Sequence, residues 1–226
     1  PDPAPLGWMP DGLRVAPGET ARAPTGTPYR AAISSRFFIG VTVAYILALG
    51  SQVGGIQQLV KLVEERTTAD TAALATLVLA TTSVIARLIG GRMVTSLPMV
   101  GFTAALAGVQ AIAMTSLAFA GSAATIFAAI IVFGATIGNI LMLQPLLIAE
   151  RFGVRDYPRI YSRAQFYALV GTAGGPLLLG WLHDVSGDYE LSYLVAAACS
   201  ALAVVAFLAA GPASEADEPV AEPEYA

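Results

Sequence analysis

Charged residues are scarce in this chain. Only 12% of its 226 residues are Asp, Glu, Lys or Arg, against about 25% in soluble domains. Between Asp70 and Glu150 the only charged residues are Arg87 and Arg92, and residues 93–149 contain none. The chain is also 56% hydrophobic, with a mean hydropathy of +0.68. Together these features exclude an ordinary soluble domain and indicate a membrane protein.

Cysteine and histidine each occur once, as Cys199 and His183. A single cysteine cannot close an internal disulfide, and a single histidine argues against a zinc site or a His-based catalytic triad. The sequence also lacks a basic stripe for nucleic acid and a nucleotide-binding loop of the G-x-x-x-x-G-K-[ST] type. We therefore expect no cofactor, no nucleic-acid partner and no enzymatic activity.

The two ends of the chain differ from its middle. Seven of the 14 prolines lie in residues 1–28, and five acidic residues lie in residues 215–226. We expect residues 1–36 to form a Pro-rich cytoplasmic linker, extended over residues 1–28, and residues 211–226 to form an acidic, disordered cytoplasmic tail. The first residue is Pro1 rather than Met, which is typical of a fragment or a processed product.

Six apolar segments roughly match the ~17–25 residues that a helix needs to cross a bilayer. They are continuously apolar rather than alternating, which favours helices over strands. Gly121 and the three small residues after it divide the long uncharged run in two. The predicted fold is an all-α transmembrane six-helix bundle with spans at about 37–60, 71–96, 97–120, 125–149, 163–182 and 191–210.

Positive residues set the predicted orientation, because cytoplasmic loops carry an excess of Lys and Arg. An even number of spans places both termini on one side of the membrane. Ten of the 12 Lys and Arg residues fall on that side if Arg87 is counted there, whereas Lys61 and Arg66 fall on the other. We therefore expect a multi-pass protein of the plasma membrane with both termini in the cytoplasm.

Glycine and proline also have a pattern within the spans. Gly50 and Gly54 are four residues apart, as are Gly134 and Gly138. Such spacing favours close approach of helix backbones in lipid. The prolines Pro145 and Pro176 lie inside predicted helices, where each removes a backbone hydrogen bond and predicts a kink.

Near the end of the chain lie three short motifs: Phe152-Gly153, Gly175-Pro176 with Gly180, and the turn formed by Asp184, Gly187 and Tyr189. Together they resemble the region from the tenth to the twelfth helix of the major facilitator superfamily, and in particular of its monocarboxylate porters and oxalate/formate antiporters. ARLIGGRM (86–93) is similar to the end of the eighth helix, and PLGWMPDG (5–12) to the loop after the sixth. The resemblance implies that the spans are helices seven to twelve, one half of the fold, and that an N-terminal six-helix half is the missing partner.

Arg87 is the leading candidate for a functional residue. A cation at membrane depth costs at least ~2.5–3.5 kcal/mol on insertion scales, so such residues usually have a function. If the second span covers residues 71–96, Arg87 lies ~5 Å from its middle. The resemblance implies that this arginine binds a substrate carboxylate, which a guanidinium can hold bidentately while staying charged. The alternative is a structural role, with Arg87 paired to backbone carbonyls or to an acid of the missing half.

The chain departs from the resembling family at two places. Ser83 stands where monocarboxylate porters carry an Asp, four residues before the arginine, so no proton carrier is visible beside Arg87. Thr95 and Ser96 stand where the family usually has an Asp-Arg pair. The first departure weakens an interpretation as a simple proton symporter. The second weakens the interpretation that this loop takes part in gating.

Uncharged polar residues at similar depth complete the predicted substrate site. They are Gln52, Ser83, Asn139 and Gln144. The alternative for the amide side chains is hydrogen bonding between helices, which contributes ~0.6 kcal/mol on average. For Gln144 a further alternative is support of the kink at Pro145.

Three charged residues follow the fourth span and are candidates for gating. Glu150, Arg151 and Arg155 could form an inward gate of ion pairs. The alternative is a solvated basic loop that obeys the topology rule. The sequence leaves both interpretations open.

These observations lead to one functional hypothesis and one alternative. The hypothesis is secondary active transport of a small organic anion by alternating access, with the chain as the C-terminal half of the transporter and the site near the bilayer midplane. The alternative is a non-transporting membrane scaffold or regulator, or a half-transporter that needs a partner. The coupling ion and the direction of transport are not predicted.

Overall fold

A computed structural model describes residues 25–94 and 96–213 of the protein. The expectations for residues 1–24, Thr95 and residues 214–226 lie outside these residues. The described part is helical: α1 (Tyr29–Ser34), α2 (Arg36–Arg66), α3 (Ala69–Met93), α4 (Met99–Phe119), α5 (Ala123–Phe152), α6 (Tyr157–Ser186) and α7 (Glu190–Ala210). The predicted all-α bundle of six long helices is confirmed, with α1 as a short addition before it.

Five of the described helices are long and apolar enough to cross a membrane: α2, α3, α4, α5 and α7. The helix α6 has 30 residues, as many as α5. It is less apolar, because it contains several glycines, Gln165 and arginines near its start. Its assignment as a sixth span therefore rests on its length and on its packing between other spans.

The end of α3 differs from the predicted end of the second span. This helix stops at Met93 rather than at residue 96. Pro98 is the N-cap of α4 and disfavours helical backbone at Leu97, so α3 and α4 are separate helices. The middle of α3 is therefore Thr81, and Arg87 lies six residues beyond it, ~9 Å along the axis at ~1.5 Å per residue.

Side-chain caps begin three of the long helices. The side chains of Ser35, Thr68 and Ser122 accept hydrogen bonds from backbone N–H groups in the first turns of α2, α3 and α5. Arg66 caps the C-terminal end of α4, because its Nη1 donates to the carbonyls of Leu117 (2.6 Å) and Ala120 (3.0 Å). These contacts satisfy backbone groups that helix ends leave without partners.

The helix α2 packs against both α6 and α7, α4 packs against α5 and α7, and α3 packs against α5. Glycine makes the α2–α6 contact close: a Cβ on Gly50 would lie 3.2 Å from the carbonyl oxygen of Gly171, and one on Gly54 would lie 2.9 Å from that of Gly175. This crossing fits the close packing predicted from the Gly50 and Gly54 spacing.

The apolar core is divided into two clusters, one at each end of the bundle. The cluster at the end where α2 begins contains Tyr45, Phe152 and Phe207. The other contains Met114, Phe133 and Tyr193. Between them lies a layer of buried polar side chains: Ser51, Gln52, Gln110, Thr136 and Ser200. This layer marks the middle of the bundle.

Candidate functional site

Arg87 lies on an exposed part of α3. Only one stripe of this helix is buried against the bundle: Ala72, Ala75, Leu79, Ser83 and Gly90. If the middle of α3 lies at the bilayer midplane, Arg87 lies ~9 Å from that plane, inside a hydrocarbon half-thickness of ~15 Å. The Arg87 side chain forms no hydrogen bond or ion pair within residues 25–94 and 96–213. Its charge is thus available to a group from outside the described chain.

A glycine of α5 lies under the Arg87 guanidinium. A Cβ built on Gly138 would lie 2.5 Å from the Nε of Arg87 and 2.9 Å from its Nη2. Real Cβ atoms do not approach polar nitrogens so closely, so any larger residue would displace the guanidinium. One turn earlier, Gly134 packs against Thr82 in the same way. The predicted Gly134 and Gly138 pair therefore forms the surface on which α3 crosses α5.

Asn139 links the same two helices beside Arg87. Its Nδ2 donates to the carbonyl of Ala86 on α3 (3.1 Å) and to that of Ala135 on α5 (3.0 Å). Its Oδ1 is buried and has no hydrogen-bond partner in the described chain. A Cβ on Gly90 would collide with the Asn139 amide. Asn139 thus holds the α3 backbone next to Arg87 and retains one free acceptor.

Ser83 and Gln144 are both buried, with 7% and 0% of their surfaces exposed. Ser83 lies on the stripe of α3 that faces the bundle, one turn before Arg87. Neither Oε1 nor Nε2 of Gln144 has a partner among the described residues. A buried amide without partners is unusual, and water or a ligand group would satisfy it. No hydrogen bond joins Gln144 to Arg87.

Gln52 belongs to the buried polar layer rather than to the surroundings of Arg87. Its Nε2 donates to Oε1 of Gln110 (2.8 Å). The Nε2 of Gln110 in turn lies within hydrogen-bond distance of Ser51 Oγ (2.8 Å) and Ser200 Oγ (3.0 Å). These bonds join α2, α4 and α7, and none of them reaches α3. The sequence identified Gln52 as a candidate but gave no signal for its pairing with Gln110.

The predicted gating residues lie at the arginine-rich end of α5. Glu150 and Arg155 are exposed, and the guanidinium of Arg151 lies 5.7 Å from the ring centre of Phe37. The backbone of Gly26 forms an isolated antiparallel bridge with Gly153 in the loop after α5. The chain before α1 is therefore attached to the same loop that carries these charges.

A second titratable cluster lies at the opposite end of the bundle. The Nε2 of His183 lies 3.4 Å from Oε1 of Glu65, and its ring stacks on Tyr189 with centres 4.1 Å apart. Burial raises the pKa of Tyr189 above its ordinary value, and the carboxylates of Glu65 and Asp184 raise it further. This cluster links the end of α2 to the end of α6.

A sequence model of the Major Facilitator Superfamily matches residues 18–224, nearly the whole chain. The chain belongs to the Major Facilitator Superfamily. This is a superfamily of membrane transporters, and the six long helices of the chain are consistent with half of its fold. No curated protein matches the chain. The family match confirms the general assignments of membrane location, transmembrane helices and transport.

Proposed function

We propose that the chain is the C-terminal half of a secondary transporter for a small organic anion, as in the monocarboxylate and oxalate/formate carriers that its motifs resemble. The observation that carries this proposal is the state of Arg87. It is a permanently charged group at membrane depth, exposed on α3, with no acidic partner among the described residues. A guanidinium in this position suits a carboxylate, which it binds through two parallel hydrogen bonds.

The surroundings of Arg87 support binding rather than a purely structural role. Gly138 lets the guanidinium lie against α5, and Asn139 fixes the backbone of α3 at Ala86. The Oδ1 of Asn139 is buried against Gly90, so Asn139 supports the site by holding α3 in place. Alternating access would expose this site to each side in turn, with Glu150, Arg151 and Arg155 at the cytoplasmic end as candidates for the gate.

Uptake by the full-length protein that contains this chain tests the proposal. A panel of radiolabelled carboxylates is compared in wild type, Arg87→Ala and Arg87→Lys, with Arg92→Lys as a control on the same helix. A charged hydrogen bond contributes ~1.5–3 kcal/mol, so Arg87→Ala should raise the KM of the transported anion ~10–100-fold or abolish uptake. Unchanged uptake of every carboxylate in both Arg87 variants would contradict the proposal.

A further inference from the structure

The chain before α2 is fastened to the loop between α5 and α6 by backbone hydrogen bonds. The N–H of Thr27 donates to the carbonyl of Phe152 (2.9 Å), and the N–H of Val154 donates to the carbonyl of Thr25 (3.1 Å). The helix α1, which follows directly, contacts both α2 and α6. Residues 25–34, here called the strap, therefore join the loop to the starts of two long helices.

Two glycines make the contact between the strap and the loop specific. Gly26 and Gly153 face each other in the antiparallel bridge, with φ angles of 152° and 68°. A Cβ on Gly26 would collide with the carbonyl oxygen of Phe152, and one on Gly153 would lie 2.7 Å from that of Thr25. A side chain at either position would also strain a backbone with positive φ. A larger residue at either glycine should therefore dislodge the strap.

The side chain of Asp156 fastens the strap at a second point. Its Oδ2 accepts a hydrogen bond from the N–H of Tyr29, the first residue of α1 (3.0 Å). Pro28, the N-cap of α1, provides no side-chain acceptor of its own. The guanidinium of Arg159 lies 4.6 Å from the ring centre of Tyr29. Because α1 has only six residues, and helices shorter than ~12–15 residues are marginal alone, it depends on such contacts.

Asp156 is also the N-cap residue of α6, yet its side chain does not cap that helix. An Asp at this position ordinarily accepts a hydrogen bond from the N–H of the second or third helical residue. The second residue is Pro158, which has no N–H. The third is Arg159, whose N–H donates to the backbone carbonyl of Asp156 instead (3.1 Å). The Asp156 carboxylate thus has two alternative donors, one on the strap and one in its own helix, and it uses the first.

We propose that Asp156 is a two-position latch for the strap. In the described conformation its carboxylate caps α1 and the strap is fastened. In the second conformation the carboxylate turns to the N–H of Arg159, the strap leaves the loop and α1 unwinds. The new cap on α6 offsets part of the lost contact with α1, so the two conformations lie close in free energy. Because Ser35 alone joins α1 to α2, release also frees the start of α2 to move relative to α6. The proposal does not depend on the role of Arg87.

Hydrogen exchange in the purified full-length protein, measured by mass spectrometry, tests the fastened position. Amide exchange in residues 25–34 is compared in wild type, Asp156→Ala and Asp156→Asn. Loss of the cap should speed this exchange about two- to thirtyfold in Asp156→Ala, and less in Asp156→Asn, which keeps an acceptor oxygen. Asp188→Ala is the matched control, because Asp188 Oδ1 accepts from the N–H of Glu190 at the start of α7 (2.9 Å). Unchanged exchange in Asp156→Ala, or the same increase in Asp188→Ala, would overturn the proposal.

A background without the strap tests the second position of the latch. Gly26→Val should dislodge the strap while leaving Asp156 in place, and residues 25–34 should then exchange fast. If the carboxylate caps α6 in this state, adding Asp156→Ala should lower the Tm by about 2–4 °C. An equal Tm for Gly26→Val and the double variant would overturn the latch, because the released carboxylate would have no second partner. Slow exchange of residues 25–34 in Gly26→Val would contradict the strap itself.

Discussion

The guanidinium of Arg87 lies directly against the backbone of Gly138, where a Cβ would come within 2.5 Å of Nε. Gly138→Ala should therefore displace the charge without removing it and raise the KM for the transported anion. Gly134→Ala is the matched control, since its Cβ would meet Thr82 at 3.0 Å and would not touch Arg87. Equal changes in KM for the two variants would show that altered helix packing, and not displacement of the Arg87 guanidinium, is responsible.

Asn139 and Gly90 should behave as a coupled pair. A methyl group on Gly90 would occupy the space of the Asn139 amide, so Gly90→Ala should destabilise the protein. Removing the amide in Asn139→Ala costs its interhelical bond to Ala86 but makes room for the methyl group. We predict that the decrease in Tm of the double variant is smaller than the sum of the decreases in the two single variants. Strict additivity of the Tm changes would contradict this account of the α3–α5 contact.

Gln52 and Gln110 should contribute to stability as one unit. Gln110→Leu removes the partner of Gln52 and also the bonds to Ser51 and Ser200. Each interhelical bond contributes ~0.6 kcal/mol on average, so Gln110→Leu should lower the Tm more than Gln52→Leu. Once Gln110 is replaced, the further loss from Gln52→Leu should be small. A large change in substrate KM in Gln52→Leu, with little loss of stability, would instead place Gln52 in the binding site.

Two adjacent glycines of α6 provide a test of the α2–α6 crossing. Gly175 faces α2, and a Cβ there would collide with the carbonyl of Gly50. Gly174 has open space around the equivalent position. Gly175→Ala should therefore lower the Tm, whereas Gly174→Ala should leave it unchanged or raise it, because alanine favours a helix by roughly 0.5–1 kcal/mol. The prediction is wrong if both variants melt alike.

The sequence predicts the six helices well, because long uncharged segments have few alternatives to membrane helices. It predicts the position of Arg87 along the membrane less well, since α3 ends at Met93, three residues earlier than the hydropathy indicates. Hydropathy is nearly uniform around these helices and gives little information on which side of each faces its neighbours. For this reason the pairing of Gln52 with Gln110 and the packing of the Arg87 guanidinium on Gly138 are evident only in the structure.

The central claim is that Arg87 recognises the negative charge of a carboxylate. Competition against transport tests it most directly, using a transported carboxylate and its uncharged amide in wild type and in Arg87→Gln. The account predicts that wild type prefers the carboxylate ~10–100-fold, as expected for a charged hydrogen bond of ~1.5–3 kcal/mol, and that Arg87→Gln binds the two compounds about equally. An unchanged preference for the carboxylate in Arg87→Gln would contradict the account.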